Sequence, residues 1–222
     1  MPRPTFFNLP EDKRAHVVEA LKAEFAARPY ARASVDRVIA AAGVSKGSFY
    51  QYFENKEDAY AHLVRELMGA RVGPVGDPAP EAPFEEVLAA VVRGSRDFHL
   101  RDPLGWAVLA RALADDAPPV LESDRSVSDG VHRWAVAAIA AGQASGELRG
   151  DVDADTAAWM IERTLLGVPH YVMTRFNVDP ERAAADGSAF DRPEIARVAD
   201  DVVALLAAAL KTPRARGGEN RA

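Results

Sequence analysis

Two lysines stand where helix electrostatics alone would not choose them. The apolar spacing puts Lys46 in the first turn of a short helix and Lys56 in the first turn of the next, where a cation opposes the positive end of the helix dipole. Each lies beside backbone N–H groups that have no acceptor within the helix, so charge and free donors together form a seat for a phosphate oxygen. Between them, Gly47 and Ser48 are small enough to let the helix end approach base edges. Gln51 offers a base both a donor and an acceptor, and the Tyr50 hydroxyl suits a phosphate. Singly, such lysines are solvated surface residues, and Tyr50 or Tyr52 are packing residues. Their joint occurrence at this spacing points to duplex DNA.

Other chemistry finds little support. The chain has no cysteine, which excludes disulfides, thiolate metal sites and a cysteine nucleophile. Its histidines, His16, His62, His99, His132 and His170, are dispersed and read as structural or surface residues, with His99 near Asp102 the one pairing within reach of a metal. The run from Gly43 to Ser48 lacks the Gly-Lys-Ser/Thr order of a phosphate loop, and neither His-Glu-x-x-His nor Gly-x-Ser-x-Gly occurs. No enzyme, cofactor or metal is expected. Phe98, Trp106, Trp134, Trp159, His170 and Tyr171 could line a pocket for an apolar effector, or they could be ordinary core.

The elements that position these residues are all helical. A first helix opens near Pro10, with Glu11 and Asp12 in its first turn, and stops before Pro29. Ser34 is placed to cap a second, carrying Val35, Val38, Ile39 and Ala42 on one face until Gly43 breaks it. Ser45 is placed to cap a third, on which Phe49 and Phe53 share a face, and Asn55 a fourth that runs to Arg71. A loop rich in Pro and Gly follows to Pro83. Helical periodicity then recurs over Phe84–Leu100, Pro103–Asp115, Val120–Ser145, Asp153–Phe176 and Pro193–Leu210, with no strand or hairpin signal.

At 222 residues and 48% hydrophobic content the chain can bury a substantial core. Its most apolar segments are too short to span a bilayer, which leads us to expect a cytoplasmic protein with no membrane partner. The net charge of −6 is unevenly spread: residues 1–56 hold nine Lys/Arg against six Asp/Glu, so the acidic excess lies entirely in the remainder. A basic-leaning module on an acidic body can approach phosphates while the body stays clear of them.

Residues 34–60, SVDRVIAAAGVSKGSFYQYFENKEDAY, closely resemble the helix-turn-helix of the TetR (tetracycline-repressor-like) family. The agreement includes Ala42-Gly43-Val44 at the turn, the run from Ser45 to Tyr50, and Phe53 followed by Asn55, Lys56 and Glu57. The resemblance implies an all-α fold with a DNA-binding domain at 1–55 and an effector-binding and dimerisation domain at 56–211 whose 56–71 helix connects the two, while Pro213, Gly217, Gly218 and scattered arginines lead us to expect a disordered tail at 212–222. It places Lys46, Gly47, Ser48 and Gln51 at or near bases, and Ser34, Ser45, Tyr50 and Lys56 on the DNA backbone. It further implies a homodimer on a palindromic operator, released by a small-molecule effector. The dimer would be held by Ile161, Leu165, Gly167 and Val168 on one helix and Val198, Val202, Leu205 and Leu206 on the last. The rival readings are an enzyme on a helical bundle and an interaction protein whose helix-turn-helix no longer reads sequence.

Overall fold

The computed structural model describes residues 1–72, 82–112, 125–179, 182 and 192–212. Among these are ten α-helices and no strand: α1 Pro4–Phe7, α2 Glu11–Ala27, α3 Val35–Ala42, α4 Lys46–Tyr52, α5 Lys56–Val72, α6 Phe84–Arg101, α7 Pro103–Ala112, α8 Arg125–Ala144, α9 Ala154–Phe176 and α10 Pro193–Leu210. A 3-10 turn, Tyr30–Arg32, links α2 to α3. The all-helical expectation holds. Most of the loop expected before Pro83, the residues 113–124, and the tail beyond Thr212 lie outside the described residues. Thr212 itself is tied down, its N–H donating to the Glu147 carbonyl at 3.1 Å.

Helix ends follow local chemistry. The Ser45 hydroxyl accepts from the Ser48 N–H at 3.0 Å, and Asn55 Oδ1 accepts from the Asp58 N–H at 2.9 Å. The Asp58 carboxylate in turn accepts from the Glu54 N–H at 3.0 Å, which ties the segment before α5 to its first turn. Gly43 closes α3 at φ +65°, a left-handed conformation that glycine adopts without a Cβ penalty. Asp153 caps α9 through the Thr156 N–H, and Asn177 ends it at φ +49°.

Ser34 departs from expectation. It precedes α3 but its side chain makes no capping bond, and its N–H instead donates to Glu24 Oε1 at 2.8 Å. Glu24 is buried, and it also accepts from Arg37 Nε and Nη2 at 2.9 and 2.6 Å and from Arg28 at 3.1 Å. One carboxylate therefore fixes the α2–α3 junction.

The periodicity starting at Pro10 also overlooks α1. This single turn docks on the far end of α4: Phe6 packs against Phe53 at 4.9 Å between ring centroids and against His62 at 5.2 Å. The Arg3 N–H donates to the Tyr52 carbonyl at 2.9 Å and the Thr5 hydroxyl to the Gln51 carbonyl.

Two apolar cores result. One runs from α1–α5 into α6 and α7, including Leu21, Phe25, Phe49, Phe53, Leu63 and Trp106. The other joins α6, α8, α9 and α10 around Leu88, Ile139, Ile161 and Leu206. The first is continuous across residue 56, so α5 and α7 belong physically to the base on which the helix-turn-helix rests. Polar ties reinforce that base: Lys22 of α2 pairs with Asp102 at 2.7 Å, and Arg111 of α7 donates to the Ala26 carbonyl at 2.8 Å. A Cβ on Gly105 would lie 2.7 Å from Leu67 Cδ2 and overlap the Asp102 carboxylate, so glycine is what lets α7 approach so closely.

Candidate nucleic-acid interface and sensor body

The helix-turn-helix brings six of the eight expected DNA-contacting residues to one end and face of α4. Lys46, Gly47, Tyr50 and Gln51 are exposed, Ser45 precedes them, and Ser48 is half-buried with its hydroxyl 2.8 Å from that of Ser45. Lys46 Nζ lies 3.0 Å from Asp36 Oδ1, both side chains open to solvent. That hydrogen bond and charge raise the Lys46 pKa, so the group stays cationic. A Cβ on Gly47 would meet nothing in the protein nearer than Ser45 Oγ at 3.8 Å, and the fold therefore does not require glycine there. Phe49, buried beneath, anchors the helix.

The other two residues point elsewhere. Lys56 Nζ donates to the carbonyls of Tyr30 and Ala33 at 2.9 and 3.1 Å and sits 4.3 Å above the Tyr30 ring. Its ammonium is already engaged by the 3-10 turn, a correction to the free seat expected at that helix start. Ser34 is half-buried with its N–H on Glu24. Among the contributors that sequence reasoning missed, Asp36 and Glu24 gave little local signal, because Lys46, Ser34 and Arg37, the partners that matter here, lie ten or more residues away. Arg3 and Thr5 were signalled only by Pro4, a favoured first helical residue.

Glu24 gives this module a definite acid response. Burial by itself would raise its carboxyl, but the bonds from Arg37 and the Ser34 N–H, with the charges of Arg28 and Arg37, outweigh burial and hold it below the ordinary value of 4.5. A depressed folded pKa contributes stability above the unfolded value and loses it as pH falls through the folded one. Melting temperature should therefore drop below about pH 4.5 in the wild type. In Glu24→Gln that limb should be flatter; an identical acid limb in the two proteins would remove Glu24 from this role.

The body sorts the aromatic candidates into two groups. Phe98 and Trp106 are buried in the first core, and Trp134 is half-buried against the second. Trp159, His170 and Tyr171 instead lie exposed on α9, with Trp159 at 56%, so within the protomer they line no interior space. The His99 ring packs edge-on to Trp106 at 4.7 Å, and Asp102 holds Lys22 and the Gly105 N–H. Among the described residues no three His, Asp or Glu side chains are grouped to hold a metal ion, and no helix is long and apolar enough to cross a membrane.

The expected dimer residues divide likewise. Ile161 and Leu206 are buried within the protomer's own core, so they are not available to a partner. Leu165, Val168, Val198 and Val202 are half-buried. Gly167 and Leu205 are exposed, Leu205 at 70%.

Residues 17–63 match the family described as "Bacterial regulatory proteins, tetR family". Along almost the whole chain, the structure is similar to that of a TetR family transcriptional regulator from Chloroflexus aurantiacus, with 31% identity, a TM-score of 0.69, and coverage of 96% of this chain and 100% of that one. The chain belongs to the TetR family. It is accordingly a ligand-responsive, DNA-binding transcriptional regulator, and the inactive-module alternative is not favoured. The fatty acid metabolism regulator protein of Bacillus subtilis is 26% identical over 161 residues, covering 69% of this TetR chain and 79% of that protein. The fold is also that of a Bacillus subtilis FadR solved in complex with stearoyl-CoA, at a TM-score of 0.66 and 22% identity over 87% of this chain and 97% of that one.

Proposed function

We propose that this TetR regulator acts in the cytoplasm as a homodimeric repressor of a palindromic operator and leaves it when an acyl-type effector enters the body. The observation that carries the DNA half is the exposed face of α4. Lys46 offers a charge there, Gln51 an amide and Tyr50 a hydroxyl, around a glycine for which the fold itself has no need. Absence of a side chain at Gly47 is useful if a base edge or phosphate must come close. A seven-residue helix reads only a few base pairs, so specificity for one promoter calls for two copies on an inverted repeat, with half-site centres roughly 34–36 Å or a multiple apart.

The dimer half rests on α9 and α10. Trp159, Gly167 and Tyr171 on α9 and Ala204, Leu205 and Ala208 on α10 are exposed on two adjacent helices. A Cβ on Gly167 would meet nothing within 4 Å in the protomer, yet glycine in a helix interior costs about 1 kcal/mol relative to alanine. A second copy approaching along this face accounts for both. The acyl class of effector is supported by the relatives' fatty acid regulators and by the apolar body.

Salt dependence tests the DNA reading. Lys46→Ala should weaken binding about equally on all sequences and lower the slope of log affinity against log salt by roughly 1. Lys56→Ala, which removes an internal strut, should lower the melting temperature as well. If Lys46→Ala leaves the slope unchanged, Lys46 makes no phosphate contact.

A further inference from the structure

Arg71 is the exception among the arginines. Six arginines of the described residues are half-buried, and five have acceptors: Arg14 at the Phe7 carbonyl, Arg65 at that of Ala61, Arg111 at that of Ala26, Arg149 at Asp151 and Arg192 at Glu194. Every other arginine whose side chain is described is exposed. For Arg71, no carboxylate or carbonyl acceptor lies within bonding distance among the described residues.

Helix register explains where it sits. On α5, Arg71 follows buried Val64, Leu67 and Met68 at i+7, i+4 and i+3, the stripe that faces α6 and α7. Leu67, one turn earlier, reaches Gly105 at the start of α7. Arg71 thus extends an apolar stripe into the body with a guanidinium, while the residue keeps some accessible surface. Burial pushes its pKa down to about 10, and a group at that value is still cationic at neutral pH. The negative end of the α5 dipole favours a cation in this last turn, but a dipole supplies no hydrogen-bond acceptor for the five donors of a guanidinium. A half-buried guanidinium with no acceptor among the described residues keeps its donors free for an anion that arrives.

We propose that Arg71 is the anchor for the anionic group of the effector, a carboxylate or a phosphate whose apolar chain lies among the body helices. This rests on the reading of the body as an acyl-effector site. It also sets the ligand against α5, the helix that carries the helix-turn-helix, so that binding and DNA affinity share one element.

The test uses the full-length protein, its Arg71→Met and Arg71→Lys variants, and three probes of equal chain length: decanoate, decyl phosphate and decanol. A charge-assisted pair predicts that the wild type binds one or both anions about ten- to a hundredfold more tightly than decanol. Arg71→Met should erase that preference while decanol affinity stays, and Arg71→Lys should keep part of it. Whichever anion binds more tightly identifies the headgroup. Without ligand, Arg71→Met should melt no lower than the wild type, because the half-buried guanidinium has no acceptor among the described residues to lose and is replaced by an apolar side chain of similar length. An anion preference that survives in Arg71→Met, or a lower melting temperature for that ligand-free variant, overturns the assignment. Should the preference follow Arg71 while no probe releases operator DNA, the anion site stands and the sensor reading fails instead.

Discussion

Changing Trp159 and Leu205 together to Glu should leave each protomer folded, convert the protein to monomers, and lower affinity for a palindromic operator by about a thousandfold or more. Both side chains are largely exposed in the single chain, at 56% and 70%, and surface substitutions away from packed contacts usually change stability by no more than about 0.5 kcal/mol. Across a two-fold axis each contact recurs as a rotated copy, so the new carboxylates meet like charges twice over. Val202→Glu with Leu206→Glu makes an instructive contrast. Leu206 is only 6% exposed and packs in the core of its own protomer, and an unpaired charge there should unfold the body before any interface is tested. Sedimentation and helix content measured side by side separate the two outcomes. A Trp159/Leu205 variant that still sediments as a dimer would move the interface elsewhere.

Phe53→Ala should cost about 3–5 kcal/mol, a large share of the roughly 5–15 kcal/mol by which a domain is stable. Phe53 has no accessible surface and closes α4, and its ring meets Phe6 of α1 at 4.9 Å, Phe49 of α4 at 5.3 Å and His62 of α5 at 6.2 Å. Three helices lose their common contact at once. For a chain of this size the loss corresponds to a melting temperature lower by about 6–20 °C. Operator binding should fail at temperatures where α5 to α10 are still helical, since α4 then keeps only Phe49 and its bonds from α1. A loss below about 1 kcal/mol would mean that the surrounding rings collapse into the space, and would reduce Phe53 to a filler.

The helix-turn-helix is legible in sequence because its signals are local. A cap at Ser45, another at Asn55 and a glycine at 43 each act within four residues, and the structure meets all three. Ser34 misleads for the opposite reason: its side chain makes no capping bond, and the contact it does make, from its N–H to Glu24 ten residues back, exists only once folding brings the two together. The turn of α1 is too short to show a period, and Phe6 is buried by docking on Phe53 and Tyr52 rather than by any pattern of its own. On the last helix, adjacent Leu205 and Leu206 are indistinguishable by type. Their directions differ by about 100°, and the packing of α10 on α6 decides which turns inward. The same holds for the aromatics, where α9 presents Trp159 and Tyr171 outward while Phe98 and Trp106 close over α5.

The ties that join α2 to Asp102 and to Arg111 have a mechanical meaning. A reading head carried on a single stalk can nod about one pivot, whatever the body does beneath it. Here the head is bolted at the stalk, α5, and again at a bracket formed by the α6–α7 corner, with Gly105 shaving the bracket close enough to bear load. Two bolts remove the free nod. The recognition helices can then shift only as far as the corner and the stalk slide past each other, and a sub-ångström displacement at their seam is what the far end of the head would amplify.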